Sequence, residues 1–307
     1  MRAISQDVLG GPEVLKVVEA ERPEPGPTEV LVRVHAAGVN PTDWKHRASG
    51  LYLGRPPFVL GWELSGVVEA TGVGVTLHKP GDEVFGMLAY PQGAGAYAEY
   101  VTAPSRRFVR KPESIDHVQA AALPLAAQTA WQALVDTAGL GPGQRVLIHA
   151  AAGGVGHLAV QIAKARGAYV IGTASEPKHA LLRRLGADEL IDYRTADFAE
   201  EVRDVDVVLD TIGGEYGPRS VRTMRPGGVI VTITPRDVRV GDVPGVRSEV
   251  LLVESDHATL KEVAALAEAG RLRAEIDLVV PLEEAAKAHA HGETGRTTGK
   301  MVLSVVP

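Results

Sequence analysis

Cysteine is absent from all 307 residues, which excludes disulfides, iron–sulfur clusters, thiolate zinc sites and cysteine nucleophiles. No run approaches the roughly 20 unbroken apolar residues that a bilayer span needs, and Met1 to Asp7 lacks the apolar core of a secretory signal. A soluble, cytoplasmic protein with no membrane partner is predicted. Positive charge is not in excess either: 32 Lys and Arg stand against 38 Asp and Glu, giving a formal charge of −6. With no basic stripe to offset it, that charge repels a phosphate backbone, so nucleic acid is not an expected partner. No internal repeat or low-complexity tract is visible.

What is present is ordinary globular composition, 45% apolar and 23% charged, in a chain long enough for about two domains. The first 115 or so residues alternate short β-like runs (Glu29 to His35, Val67 to Ala70, Glu83 to Phe85, Ala98 to Thr102) with turns rich in Gly and Pro. From Ser114 the texture becomes Ala-rich and helical. Between residues 145 and 255 six apolar runs alternate with helical patterns, the layout of a parallel sheet covered by helices. Those runs are Arg145 to Ala150, Ala168 to Ala174, Glu189 to Tyr193, Val205 to Thr211, Val229 to Thr234 and Val250 to Val253. After Asp256 come a helix to Ala269, a strand near Ile276 to Val280, a short helix and a last strand from Lys300. Their natural place is back on the N-terminal β region. The fold class is therefore α/β, with domains at 1–117 plus 257–307 and at 118–256.

The strand Val146 to Ala150 runs into Ala151-Ala152-Gly153-Gly154-Val155-Gly156 and then an amphipathic helix. This is the G-x-G-x-x-G dinucleotide turn with Ala in place of its first Gly. The second glycine, Gly153, lets the backbone approach a pyrophosphate, and the third, Gly156, permits close packing of helix on strand. Gly154, Val155 and the helix N-terminus offer N–H donors and partial positive charge. His149, inside the strand, reads as a packed core residue.

A fold of this kind that prefers NAD carries an acidic residue at the end of its second strand. Here that strand ends Gly172-Thr173-Ala174-Ser175, with Glu176 following. Ser175, Lys178, Tyr193 and Arg194 are candidate donors to a 2′-phosphate, so NADPH is the expected cofactor. The competing reading makes Ser175 a helix cap and Arg194 a solvated surface charge. Thr211, Gly213 and Ile233 lie at the carboxyl ends of later strands, where ligands of open α/β sheets bind.

Six segments together resemble the medium-chain dehydrogenase/reductase superfamily, in its zinc-free, NADPH-dependent quinone oxidoreductase branch. They are Ala37-Gly38-Val39-Asn40-Pro41-Thr42-Asp43-Trp44, Leu60-Gly61-Trp62-Glu63-Leu64-Ser65-Gly66-Val67-Val68, Ala150 to Gly156, Gly172 to Ser175, Gly186-Ala187-Asp188 and Gly299 to Leu303. The resemblance implies a GroES-like β domain built from both chain ends and a doubly wound Rossmann domain between them. Where the zinc alcohol dehydrogenases of that superfamily carry a Cys and a His ligand, this chain has Asn40 and Trp62, keeping only Glu63. Without a metal, quinones and α,β-unsaturated carbonyls are the expected acceptors, since the incoming charge spreads through their own π-system. The resemblance places Asn40 at the nicotinamide, where it is also expected to orient the reaction, and Tyr52 beside it as donor or proton source. Thr129 and Lys300 resemble family positions near the cofactor, and Trp62 reads as a wall of the cleft. Loops around Tyr52, Tyr90 to Tyr97 and Pro235 to Gly245 would shape the acceptor pocket. A homodimer through the edge strand Val250 to Val253 is expected by analogy. Two other functions fit the same residues: reduction of an enoyl thioester, and NADPH binding without turnover.

Overall fold

A computed structural model describes residues 1–234 and 244–306. The chain divides into two compact units, Met1–Gln128 with Glu254–Pro307 and Thr129–Val253.

The first unit is built on a seven-stranded sheet. Its order is Ile276–Pro281, Lys300–Ser304, Glu29–Val39, Glu63–Thr71, Glu83–Met87 and Phe108–Arg110, with Tyr100–Pro104 also paired to Glu29–Val39. The last strand of the chain lies antiparallel to Ala36–Val39, so the C-terminal tail completes the sheet that the N-terminal part begins. This is the GroES-like unit that the sequence implied. Three short strands, Arg2–Gln6, Lys16–Glu19 and Phe58–Val59, form a separate small sheet.

The second unit is a six-stranded parallel sheet ordered Glu189–Ile191, Tyr169–Thr173, Arg145–Ile148, Val205–Asp210, Met224–Thr232 and Arg247–Val250. In chain order that is 3-2-1-4-5-6, the doubly wound dinucleotide arrangement. Val205–Asp210 is buried at every position, as a central parallel strand covered on both faces requires. Leu147, Ile171, Val208 and Ile230 from four neighbouring strands meet Phe198 in the core below.

Two expectations move. The outer strand is Arg247–Val250 and not Val250 to Val253. The apolar run misled because an edge strand, open on one side, does not need one; Arg247 and Glu249 pair beside Val229 and Val231. The boundaries between units fall at 128/129 and 253/254, where the sequence reading put 117/118 and 256/257. The reason is side-chain capture by the first unit. Helix His117–Ala121 packs on its sheet, Leu125 N–H donates to Glu63 at 2.6 Å, and Asp256 N–H donates to Gln128 at 2.9 Å. Most of the predicted loop from Pro235 to Gly245 lies outside the described residues.

Candidate active site

Asn40 follows the long strand Glu29–Val39 and caps helix Pro41–Ser49, whose first residue is proline, pre-set for a helix start. The helix start is fastened by Asp43. One of its carboxylate oxygens accepts the N–H of Asn40 at 2.7 Å and the other that of Gly61 at 3.1 Å. Asp43 is fully buried, and that burial pushes its carboxyl up to about 7. Tyr97, also fully buried, lies against it, and burial drives its phenol well above the ordinary value.

The Asn40 side chain is held on both ends. Its amide donates to Glu63 Oε1 at 2.6 Å, and its carbonyl oxygen accepts from Lys300 Nζ. Lys300 also donates to Glu63 Oε1 at 2.8 Å and to the Val39 carbonyl at 3.2 Å, which accounts for all three ammonium protons. Glu63 Oε2 takes the N–H of Leu125 at 2.6 Å. Gly38 is needed here, because a Cβ would lie 2.5 Å from the Ala121 carbonyl oxygen and collide with Glu63 Oε1. Lys300 is 2% accessible and belongs to a closed ion pair. It stands directly behind Asn40.

Tyr52 is 52% exposed, with its ring 5.9 Å from that of His46. Trp62, expected as a cleft wall, is fully buried instead, its ring 4.6 Å from His46 and 5.6 Å from Tyr90. It is a core aromatic because its strand entry at Gly61 and Glu63 is pinned from both sides.

In the second unit the turn carries its left-handed residue at Ala150, with φ 45°. Gly153 N–H closes the turn on the Ala150 carbonyl at 2.8 Å. Gly156 is where helix meets strand: a Cβ would clash with the Ala150 carbonyl oxygen and lie 2.8 Å from Ala151 Cα. The N–H groups of Gly154, Val155 and Gly156 find no backbone acceptor among the described residues. Three N–H groups without backbone acceptors at the start of the ten-residue helix Gly156–Ala165 are the chemistry a pyrophosphate requires. The turn therefore fits the phosphate group of a dinucleotide.

At the end of the second strand, Ser175 stands at the cap of the turn Glu176–Lys178, yet its hydroxyl makes no capping bond. Lys178 N–H donates to the Ser175 carbonyl at 2.9 Å. Tyr193 is 47% exposed, and the Arg194 guanidinium stands 5.9 Å from its ring centroid. The two loops follow adjacent parallel strands and are joined where Glu176 N–H donates to Asp192 Oδ2 at 3.2 Å. Thr211 donates to the His149 carbonyl at 2.8 Å, and Ile233 N–H is taken by the Asp210 carbonyl at 3.1 Å. Thr129 is buried inside helix Pro124–Trp131. His149 is the core residue expected, bonded to Thr173 and Ser220 and held down to about 3 by burial.

Sequence reasoning missed Asp210. Its Oδ1 accepts the N–H groups of Ile212 and Gly213 at 2.9 Å each and so shapes the loop that carries Thr211 and Gly213. Nothing in the sequence distinguishes it from any other strand-end aspartate. Asp43 and the Glu63–Lys300 pair sat inside recognised segments, but their partnerships are not visible without the fold.

Comparison with known proteins agrees with this architecture. Residues 26–113 match the alcohol dehydrogenase GroES-like domain and residues 185–303 the zinc-binding dehydrogenase model. A 2-haloacrylate reductase of Burkholderia sp is 36% identical, the match covering 96% of each chain. The quinone oxidoreductase structure from Coxiella burnetii superposes with a TM-score of 0.94 at 39% identity, covering 100% of this chain and 99% of that one. The Escherichia coli quinone oxidoreductase complexed with NADPH gives 0.89 at 29% identity, covering 99% and 100%. The chain belongs to the medium-chain dehydrogenase/reductase superfamily of nicotinamide-dependent oxidoreductases, in its quinone oxidoreductase branch.

Proposed function

We propose that this protein is a cytoplasmic, zinc-independent, NADPH-dependent reductase of quinones and α,β-unsaturated carbonyl compounds. The observation that carries the reading is the commitment of Glu63. It is the one residue of the zinc-ligand set that this chain keeps, and Asn40, Lys300 and Leu125 occupy both of its oxygens. A tetrahedral catalytic zinc needs three protein ligands, and here Asn40 and Trp62 stand in two of those places. The acceptor must then carry its own means of spreading charge.

When bound, the reduced nicotinamide supplies a hydride. The free N–H groups of Gly154, Val155 and Gly156 hold the pyrophosphate, with Thr211, Gly213, Ile233 and Thr129 as further cofactor contacts. Ser175, Lys178, Tyr193 and Arg194 hold the 2′-phosphate. Charge-assisted hydrogen bonds contribute about 1.5 to 3 kcal/mol each, so two of them give roughly a hundredfold or greater preference over NADH. Asn40 orients at the nicotinamide with its remaining amide proton, and Tyr52 donates to the acceptor oxygen. The reading includes a homodimer through the outer strand Arg247–Val250, where Val250 is 59% exposed, and sedimentation in solution tests it.

The decisive experiment follows NADPH and NADH consumption with naphthoquinone, a small enone and crotonyl-CoA, with and without chelator, alongside saturated alcohols and NADP⁺. Quinone or enone reduction indifferent to chelator is expected. Brisk alcohol oxidation, or loss of turnover on chelation, would overturn the reading; preference for crotonyl-CoA would move it to enoyl thioesters. NADPH at a hundredfold its Kd should raise stability by about 2.7 kcal/mol. Equal shifts from NADH would remove the 2′-phosphate assignment.

A further inference from the structure

We propose that Tyr90 is a second hydroxyl donor to the acceptor's carbonyl oxygen, aimed by Thr42 and His46; this rests on the carbonyl-reducing reading above. His46 is buried on helix Pro41–Ser49 one turn beyond Thr42. Its Nδ1 lies 2.8 Å from the Thr42 carbonyl oxygen and 3.1 Å from the Thr42 hydroxyl oxygen. A carbonyl oxygen only accepts, so Nδ1 must carry the proton. Burial holds the ring to one proton, which leaves Nε2 bare, and Nε2 indeed has no partner among the described residues.

With Nδ1–H donating into both Thr42 oxygens, the hydroxyl proton of Thr42 is released to donate onward. Its neighbour is Tyr90 Oη at 3.2 Å. In the proposed arrangement Tyr90 accepts from Thr42, so that its own O–H points away from that bond. The tautomer of one buried imidazole fixes the first bond of the chain, and with Thr42 donating onward to Tyr90 each donor strengthens the next. Trp62, with its ring edge-on to Tyr90 at 5.6 Å and 4.6 Å from His46, keeps the phenol and the imidazole in place.

Tyr90 is half-buried, and Tyr52 flanks the same His46 ring. Two neutral phenols suit an oxygen that gains charge during reaction, as the oxygen of an enone or quinone does when hydride adds to its distal carbon. One proton from water then completes the product. The recognised feature of the substrate is this oxygen, so the class is conjugated carbonyl compounds of varied carbon skeleton. Tyr90 touches the acceptor; Thr42 and His46 are positioning residues.

The test uses the full chain carrying Tyr90→Phe, Thr42→Val or Thr42→Ser. It measures kcat and KM for naphthoquinone and a small enone, and the apparent pKa of 4-nitrophenol bound in the presence of NADP⁺. Tyr90→Phe and Thr42→Val should lower kcat by about ten- to a hundredfold with little change in KM. Both should raise the pKa of the bound nitrophenol, while Thr42→Ser restores each readout. Tyr90→Phe within twofold of the parent, Thr42→Ser as impaired as Thr42→Val, or failure of the parent to bind nitrophenol overturns the proposal. If the parent reduces no acceptor, the reductase reading falls, and the nitrophenol titration alone decides the role of Tyr90.

Discussion

In the GroES-like unit, Asn40, Asp43, Glu63 and Lys300 turn their polar atoms on one another and on the backbone around Val39, Gly61 and Leu125. In the Rossmann unit, the N–H groups of Gly154, Val155 and Gly156 are left without backbone acceptors among the described residues, and Ser175 caps nothing. The same chain therefore closes one set of polar groups and leaves another open. Buried charge must be satisfied internally or it unfolds the protein, whereas a helix N-terminus at a surface turn tolerates open donors until a ligand fills them. Closed groups hold a site's shape, and open ones are where affinity resides.

The comparison breaks most easily at Lys300. Lys300→Met leaves Glu63 buried without its cation, and urea unfolding should show a loss of about 3 to 5 kcal/mol. Adding Glu63→Gln should recover much of it. The stabilisation given by NADPH should be unchanged in the variant that still folds, because the ammonium is spent inside its own unit. A lost NADPH response would assign Lys300 to the cofactor, as the sequence resemblance implies.

A second test sits at Asp43, whose carboxyl burial pushes up to about 7 from its ordinary value of 3.8. The folded state therefore holds a proton that the unfolded chain releases between those pH values. The stability this contributes is fully present below pH of about 4 and is lost as pH rises through about 7, roughly 4 kcal/mol in all. His46, His117, His149 and His289 are all lowered by burial and act with the opposite sign, losing stability as pH falls. The Asp43 contribution must be read as a difference. Stability of the parent minus that of Asp43→Asn should shrink steadily from pH 4 to pH 7, and a flat difference would sink the assignment.

The contrast also explains what the sequence could and could not disclose. The Rossmann unit was legible because its evidence is local: apolar runs, a glycine spacing and a helix start are contiguous in the chain. Its failure came at the outer strand, where pairing on one side removes the apolar signal, so Val250 to Val253 looked better than Arg247–Val250. In the GroES-like unit the residue types stood in the recognised segments, but their use did not. Lys300 lies 260 residues from Asn40 and 237 from Glu63, and no periodicity reports a pairing that long. The polarity of the His46, Thr42 and Tyr90 chain depends on which nitrogen faces a carbonyl, a matter of angstroms.

Gly153 and Gly156 offer the finest division, since they sit three residues apart in one motif and are assigned to different tasks. A Cβ on Gly156 would press on Ala150 and Ala151 backbone that cannot move without displacing the first strand, so Gly156→Ala should cost about 1 to 3 kcal/mol of stability even without cofactor. A Cβ on Gly153 would meet only the Ala150 carbonyl oxygen at 3.2 Å, a contact that a shift of a few tenths of an ångström relieves. Its stability loss should stay below about 1 kcal/mol, while its Kd for NADPH rises about tenfold because a methyl now occupies the surface the pyrophosphate approaches. Unfolding and NADPH titration on the two variants separate these effects. If both lose stability equally and bind NADPH equally, the turn is only a packing device, and the open donors beside it have no pyrophosphate to meet.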